Sequence, residues 1–189
     1  MKVAITGTIG SGKTFVSDYL RSKDLYVFDC DKYNAYLLDT NNDVLNKILD
    51  SFPKSVNHLC INKKMLAKEV FNNDDKRKKL ESIMHPYIID KIKEEASLHD
   101  LFIAEVPLLF EAGLESFFDI IILIVANDKI SRLRLNEKGY SDEDIKSRMA
   151  SQLPIEIKMK RANEIIYNNG SFLDLYNEID KLICKYDWE

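Results

Sequence analysis

The sequence predicts an α/β protein, a doubly wound parallel sheet of about five strands with helices on both faces. Three observations predict it. Short apolar runs alternate with segments of helical periodicity along the chain. Ile120 to Val125 is apolar at every position, as befits a parallel strand covered on both faces. The chain opens on a strand, Lys2 to Thr6, that runs into a glycine-rich turn and then into a helix.

That turn, Gly7-Thr8-Ile9-Gly10-Ser11-Gly12-Lys13-Thr14, has the spacing of a phosphate-binding P-loop: glycine, four residues, then Gly-Lys-Thr. Glycines at 7, 10 and 12 let the backbone turn and bring bare N–H groups against phosphate oxygens. Lys13 supplies a point charge to the β- and γ-phosphates, and the Thr14 hydroxyl is a ligand for Mg²⁺. Phe15, Val16, Tyr19 and Leu20 then fall on one face of a helix whose N-terminus points at the anion. The pattern arises by chance in about one chain in a hundred of this length. The expectation is a nucleoside triphosphate site, with Gly10, Ser11, Gly12, Lys13, Thr14 and Phe15 as the ATP-binding residues.

Composition narrows the rest. A chain of 189 residues, 46% apolar and 31% charged, supports one sizeable core. A net charge of −4 lacks the basic footprint of a nucleic-acid binder. Cys30, Cys60 and Cys184 are far apart and odd in number, which suits neither a disulfide framework nor a CxxC metal site and points to a reduced cytoplasmic compartment. The first apolar run is a strand rather than a leader, and the longest, Ile120 to Ala126, is too short to span a bilayer. A soluble protein with no membrane partner is expected.

Leu25 to Phe28 reads as the second strand and ends in Asp29-Cys30-Asp31, which brings two carboxylates to the ligand crevice beside the phosphate loop. Apolar residues from Ala35 to Phe71 recur at helical spacing around a polar loop, Pro53 to His58. A charged helix from Asp75 to Met84 is expected to break at His85-Pro86, with a further helical pattern after it. This excursion, 32–99, is larger than a crossover needs and reads as a substrate-binding insertion. Leu101 to Val106 returns to the sheet and leads into Pro107-Leu108-Leu109-Phe110-Glu111. After Ile120 to Val125, residues 127–161 are polar and helical, interrupted at Gly139-Tyr140-Ser141, and read as a lid. Ser141 before three acidic residues is a helix start. Ile165 to Tyr167 is a brief strand, Asn168-Asn169-Gly170 a turn, and Phe172 to Tyr186 a closing amphipathic helix. The core is thus expected in 1–31, 100–126 and 162–189, within a single P-loop unit.

Several classes share the phosphate loop. Asn127-Asp128-Lys129 does not supply the base-reading motif of a GTPase, and a motor needs far more chain. A small kinase remains. At this point the chain resembles the dephospho-CoA kinase family over nearly its whole length. The loop from Thr6 to Thr14 is similar to the family's TGGIGSGKS, and Asp29-Cys30-Asp31 to its Asp-x-Asp. Ile61-Asn62-Lys63, Val70-Phe71, His85-Pro86 and Pro107 to Glu111 follow in the family's order. Arg148-Met149 with Gln152, Lys160-Arg161-Ala162 and Ile166 to Gly170 fit its closing pattern. Thr8, Lys63 and Glu105 depart from its usual Gly, Arg and Asp.

The resemblance implies ATP- and Mg²⁺-dependent phosphorylation of the ribose 3′-hydroxyl of dephospho-CoA, with ATP and dephospho-CoA as the partners. It implies Asp31 and Lys13 as catalytic residues, with Asp31 orienting or deprotonating the acceptor hydroxyl and Asp29 in support. The alternative for Asp31 is a strand-end aspartate that caps the next helix. Arg132, Arg148 and Arg161 are the implied lid and phosphate residues. Asn136 stands where the family's second lid arginine would fall, and Arg134 is the alternative to take that place beside Arg132. Asp31, Lys63, His85, Pro107 and Glu111 are the implied acceptor residues, and a salt bridge to a nearby lysine is the alternative for Glu111. A nucleoside or nucleotide kinase is the rival activity, and an ATP-holding regulatory module the rival class.

Overall fold

The computed structural model describes residues 1–71 and 73–188, so Asn72 and Glu189, both inside segments assigned from sequence, lie outside the described residues. The chain forms two compact units, Met1–Asp29 with Glu95–Glu189, and Cys30–Glu94.

In the first unit a five-stranded parallel sheet is built from β1 (Lys2–Gly7), β2 (Val27–Asp29), β5 (Phe102–Glu105), β6 (Ile120–Val125) and β7 (Glu164–Tyr167), in the order β2-β5-β1-β6-β7. β1 lies at the centre, so the loop that follows it opens at the carboxyl edge between β5 and β6, where neighbouring connections diverge and leave a crevice. Val3, Ile5, Ile103, Ile122 and Ile124 fill the core, which explains why β6 is apolar throughout. Each such aliphatic side chain contributes about 1.5–3 kcal/mol on burial.

Helix α1 (Lys13–Ser22) buries Val16 and Leu20 against that sheet. Helix α9 (Phe172–Tyr186) adds Leu175, Ile179, Leu182 and Ile183 at helical spacing, beginning at a Ser171–Asp174 capping box. Trp188 closes the same core. Three helices between β6 and β7, α6 (Asp128–Glu137), α7 (Asp142–Ala150) and α8 (Ile155–Arg161), follow the expected interruption at Gly139 to Ser141. Ser141 caps α7 in a box with Asp144. β2 begins two residues later than the sequence suggests: Asp24 adopts φ +63 and Leu25 N–H bonds back to Leu20 C=O, which keeps Leu25 in the turn after α1.

The second unit holds α2 (Cys30–Thr40), α3 (Asn42–Ser51), β3 (Val56–Asn57), β4 (Cys60–Ile61), α4 (Lys63–Phe71) and most of α5 (Asp74–Leu98). Leu37, Val44, Ile48, Phe52, Leu66, Ile83 and Met84 form its core. Two sequence expectations are corrected here. His85-Pro86 does not break the helix: α5 is continuous for 25 residues with Pro86 inside it. Proline costs one helical hydrogen bond, but Ile83 and Met84 before it and Tyr87 and Ile88 after it pack into one core, and that packing carries the helix through. The segment from Pro53 to His58 is not all loop: Val56 and Asn57 pair antiparallel with Ile61 and Cys60 in a two-residue hairpin.

Candidate active site

β1 ends at Gly7, and the five residues that follow curl into the N-terminus of α1, with Gly12 as its cap. The loop is held by its own bonds and by three side chains from far along the chain. Ser11 N–H donates to Thr8 C=O at 3.2 Å. Lys13 Nζ donates to Gly7 C=O at 3.0 Å and Thr8 C=O at 3.1 Å, so the ammonium lies folded over the loop. Asn168, at the end of β7 and 2% exposed, donates from Nδ2 to Ser11 C=O at 2.8 Å. Arg134 of α6 reaches Ser11 C=O at 3.3 Å from one nitrogen and both oxygens of Asn168 at 3.2 Å from the other. Gln152, after α7, accepts Ile9 N–H at 3.0 Å.

These contacts set the cradle's polarity. A trans peptide turns its C=O and the next N–H to opposite sides. With Ser11 C=O taken by Asn168 and Arg134, Gly12 N–H faces the other way, as an anion-binding loop requires. At Gly10 the positive φ of +77 and the Ser131 carbonyl, 2.7 Å from where a Cβ would stand, both require glycine. Burial pulls the Arg134 guanidinium below its usual value without neutralising it.

Thr14 is exposed, and its hydroxyl donates to Glu105 Oε1 at 3.3 Å. Glu105 ends β5, and its register partner on β2 is Asp29. A hydroxyl beside a carboxylate, with a second carboxylate one strand away, is a hard-oxygen donor set of the kind Mg²⁺ takes, so these residues fit that ion. No group of three or more His, Cys, Asp or Glu side chains that would cage a metal unaided occurs among the described residues.

The remaining sequence-derived residues separate into several places. Gly10, Ser11, Gly12, Lys13, Thr14 and Phe15 are contiguous in the loop and first turn of α1. Arg132 pairs with Asp128 one turn earlier on α6, at 2.7 Å. Arg148 lies over the Tyr140 ring, 5.1 Å from its centroid, and Arg161 pairs with Glu115 at 3.1 Å. The Pro107 carbonyl lies 3.5 Å from Thr6 Oγ1. Glu111 meets Lys158 at 2.7 Å, the lysine salt bridge that the sequence left as an alternative. In the second unit, Asp31 is exposed in the first turn of α2, Lys63 Nζ bonds Asp39 at 2.7 Å and Ala35 C=O at 3.1 Å, and His85 is half-buried within α5.

Sequence reasoning missed Asn168, Gln152 and Lys158 as parts of this site and gave Arg134 only as an alternative. Asn168 and Gln152 stood within recognised motifs, but a neutral amide signals nothing about which backbone group it holds.

Residues 1–174 match the family model described as dephospho-CoA kinase. The dephospho-CoA kinase of Protochlamydia amoebophila is 35% identical over 191 residues, covering 96% of this chain and 94% of that protein. A solved Thermus thermophilus protein superposes with a TM-score of 0.84 at 31% identity, covering 98% of this chain and 97% of that one. The solved dephospho-CoA kinase from Campylobacter jejuni gives 0.73 at 31% identity, with 98% of each chain covered.

Proposed function

The chain belongs to the dephospho-CoA kinase family, and from that membership we propose how its residues carry out the family's reaction. It phosphorylates the ribose 3′-hydroxyl of dephospho-CoA with ATP, giving coenzyme A and ADP in the last step of coenzyme A synthesis. The observation that carries this is the family match over residues 1–174, which includes the phosphate loop.

The division of labour rests on chemistry. The amides of Gly10 to Phe15 cradle the ATP phosphates at the start of α1. Lys13 leaves the carbonyls of Gly7 and Thr8 for the β- and γ-phosphates, a local exchange of acceptors within its reach. Asp31 orients the 3′-hydroxyl and takes its proton as the oxygen attacks the γ-phosphorus and the bond to the β-phosphate oxygen breaks. Thr14, with Glu105 and Asp29 nearby, would hold Mg²⁺, which when bound neutralises charge on the β- and γ-oxygens. Arg132, Arg148 and Arg161 are the candidate cations for the transferring phosphate, carried on the proposed lid, 127–161. Asp128 holds Arg132 through an exposed pair that phosphate can displace. Lys63, His85 and Pro107 complete the acceptor set, Glu111 being engaged by Lys158, with 32–99 as the acceptor-binding insertion. We assign the reaction to the cytoplasm on the number and spacing of the cysteines.

The test is ATP consumption by the purified protein with Mg²⁺, comparing dephospho-CoA with a panel of nucleosides and nucleoside monophosphates and reading product mass. A gain of one phosphate on dephospho-CoA alone is expected. Turnover only with a nucleoside would overturn the acceptor, and ATP binding with no acceptor dependence would overturn the transferase.

A further inference from the structure

Lys158 is a charge that phosphoryl transfer leaves without a task. It is fully buried on α8, with its ammonium 2.7 Å from Glu111 Oε1. Taking an ammonium out of water costs several kcal/mol, and an apolar side chain of equal length would pack without that cost. Glu111 is itself mostly buried, and its Oε2 makes no hydrogen bond among the described residues, so Lys158 balances its charge.

The pair is connected to the phosphate loop. Glu111 Oε1 also accepts Leu153 N–H at 2.9 Å. Leu153 N–H and Gln152 C=O belong to one rigid peptide plane, so holding the first fixes the backbone from which the Gln152 side chain departs. That side chain accepts Ile9 N–H at 3.0 Å. A continuous line of contacts thus runs from Lys158 through Glu111 and the Leu153 amide to Gln152 and the loop.

We propose that Lys158 is a positioning residue for ATP: paired with Glu111 it anchors the Gln152-Leu153 turn, through which Gln152 holds the phosphate loop in its binding shape. This rests on the reading that the loop holds ATP phosphates. The geometry favours it over a clamp that only adds stability, because Gln152 spends its carbonyl on a loop amide. Without that acceptor the Thr8–Ile9 peptide is held only through Thr8 C=O, by Ser11 N–H and Lys13 Nζ, and the cradle loses order before the nucleotide arrives.

The experiment is a double-mutant cycle on equilibrium ATP binding in the presence of Mg²⁺, with thermal unfolding recorded for each protein. Lys158→Met and Gln152→Ala are each expected to weaken ATP about tenfold, the scale of coupling between residues in one network. The double variant is expected to be no weaker than the worse single one, because both act through the same loop contact. Wild-type ATP affinity in folded Lys158→Met, or losses that multiply in the double variant, would overturn the proposal and leave Lys158 a structural residue. Where Lys158→Met does not fold, Glu111→Gln takes its place in the cycle, since it keeps side-chain shape and an oxygen for Leu153 N–H while removing the charge. Failure of the wild-type protein to bind ATP would instead overturn the reading of the loop.

Discussion

Gly12 and Asn168 approach so closely that a Cβ on Gly12 would stand 2.3 Å from Asn168 Nδ2. Gly12 also adopts φ +94, which costs a non-glycine residue roughly 1–2 kcal/mol. Gly12→Ala therefore both strains the backbone and displaces the amide that holds Ser11 C=O. ATP affinity is expected to fall about tenfold or more, with a lowered Tm. Gly12→Ala/Asn168→Ala should recover only part of the stability, because the backbone strain remains. Undiminished ATP binding by the single variant in a titration would refute this account of the loop.

Arg132 and Arg134 are two residues apart on α6 and face different tasks. Arg134 is spent on loop carbonyls, whereas Arg132 is held by an exposed aspartate. Arg134→Ala is expected to raise KM for ATP through a disordered loop. Arg132→Ala is expected to lower kcat by about a hundredfold or more, with little change in ATP affinity, as befits a cation that acts on the transferring phosphate. Steady-state kinetics on both variants decides, and the opposite pattern would exchange the two roles.

Asp31→Asn keeps size and hydrogen bonding but cannot take a proton. A fall in kcat of about 10²- to 10⁴-fold is expected, with ATP binding within about twofold of wild type. Full turnover by this variant would return Asp31 to an acidic residue that merely favours the first turn of α2.

The sheet was legible because its signals are local: β6 is apolar at every position, and the strand, glycine loop and helix at the start are contiguous. The start of α7 was legible from Ser141, which caps that helix through its own side chain, whereas Asn127 and Ser171 cap α6 and α9 in the same way without having been read as caps. The path of α5 through Pro86 was not legible, because it depends on Ile83 and Tyr87 sharing a core. Nor were the supports of the phosphate loop: Asn168 stands 157 residues from Ser11, and Gln152 143 residues from Ile9. Sequence spacing carries no information about such partners.

The β3–β4 hairpin escaped notice for a different reason. His58 and Leu59 turn it with φ of +47 and +59, where a glycine or asparagine would be the usual signal. Leu59 is also 75% exposed, so its side chain gains little from packing. Leu59→Gly removes the Cβ penalty, roughly 1–2 kcal/mol, and loses part of it to the greater entropy of the unfolded chain. A net gain of about 1 kcal/mol is expected, seen as a Tm higher by about 3 °C. A lower Tm would show that the Leu59 side chain contributes more than its exposure suggests.

Glu164, at the start of β7, receives Lys185 Nζ at 2.6 Å and the Tyr186 hydroxyl from α9. The Lys185 ammonium, then Tyr186, holds its carboxyl below the usual range against the opposing effect of burial. A carboxylate whose folded value is depressed stabilises the fold above its unfolded value, about pH 4.3, and that stabilisation is lost as pH falls through the folded value. The same contact raises Lys185 and Tyr186, so their contributions are present below their unfolded values, about pH 10, and are lost as pH rises through the folded ones. Glu164→Gln removes the carboxylate on which all three shifts depend. Its Tm should fall below wild type by about 3 °C at neutral pH, and the gap should close towards both acid and alkaline ends. A gap that stays constant from pH 3 to pH 11, on the order of that whole span, would mean that glutamate's shape rather than its charge ties β7 to α9.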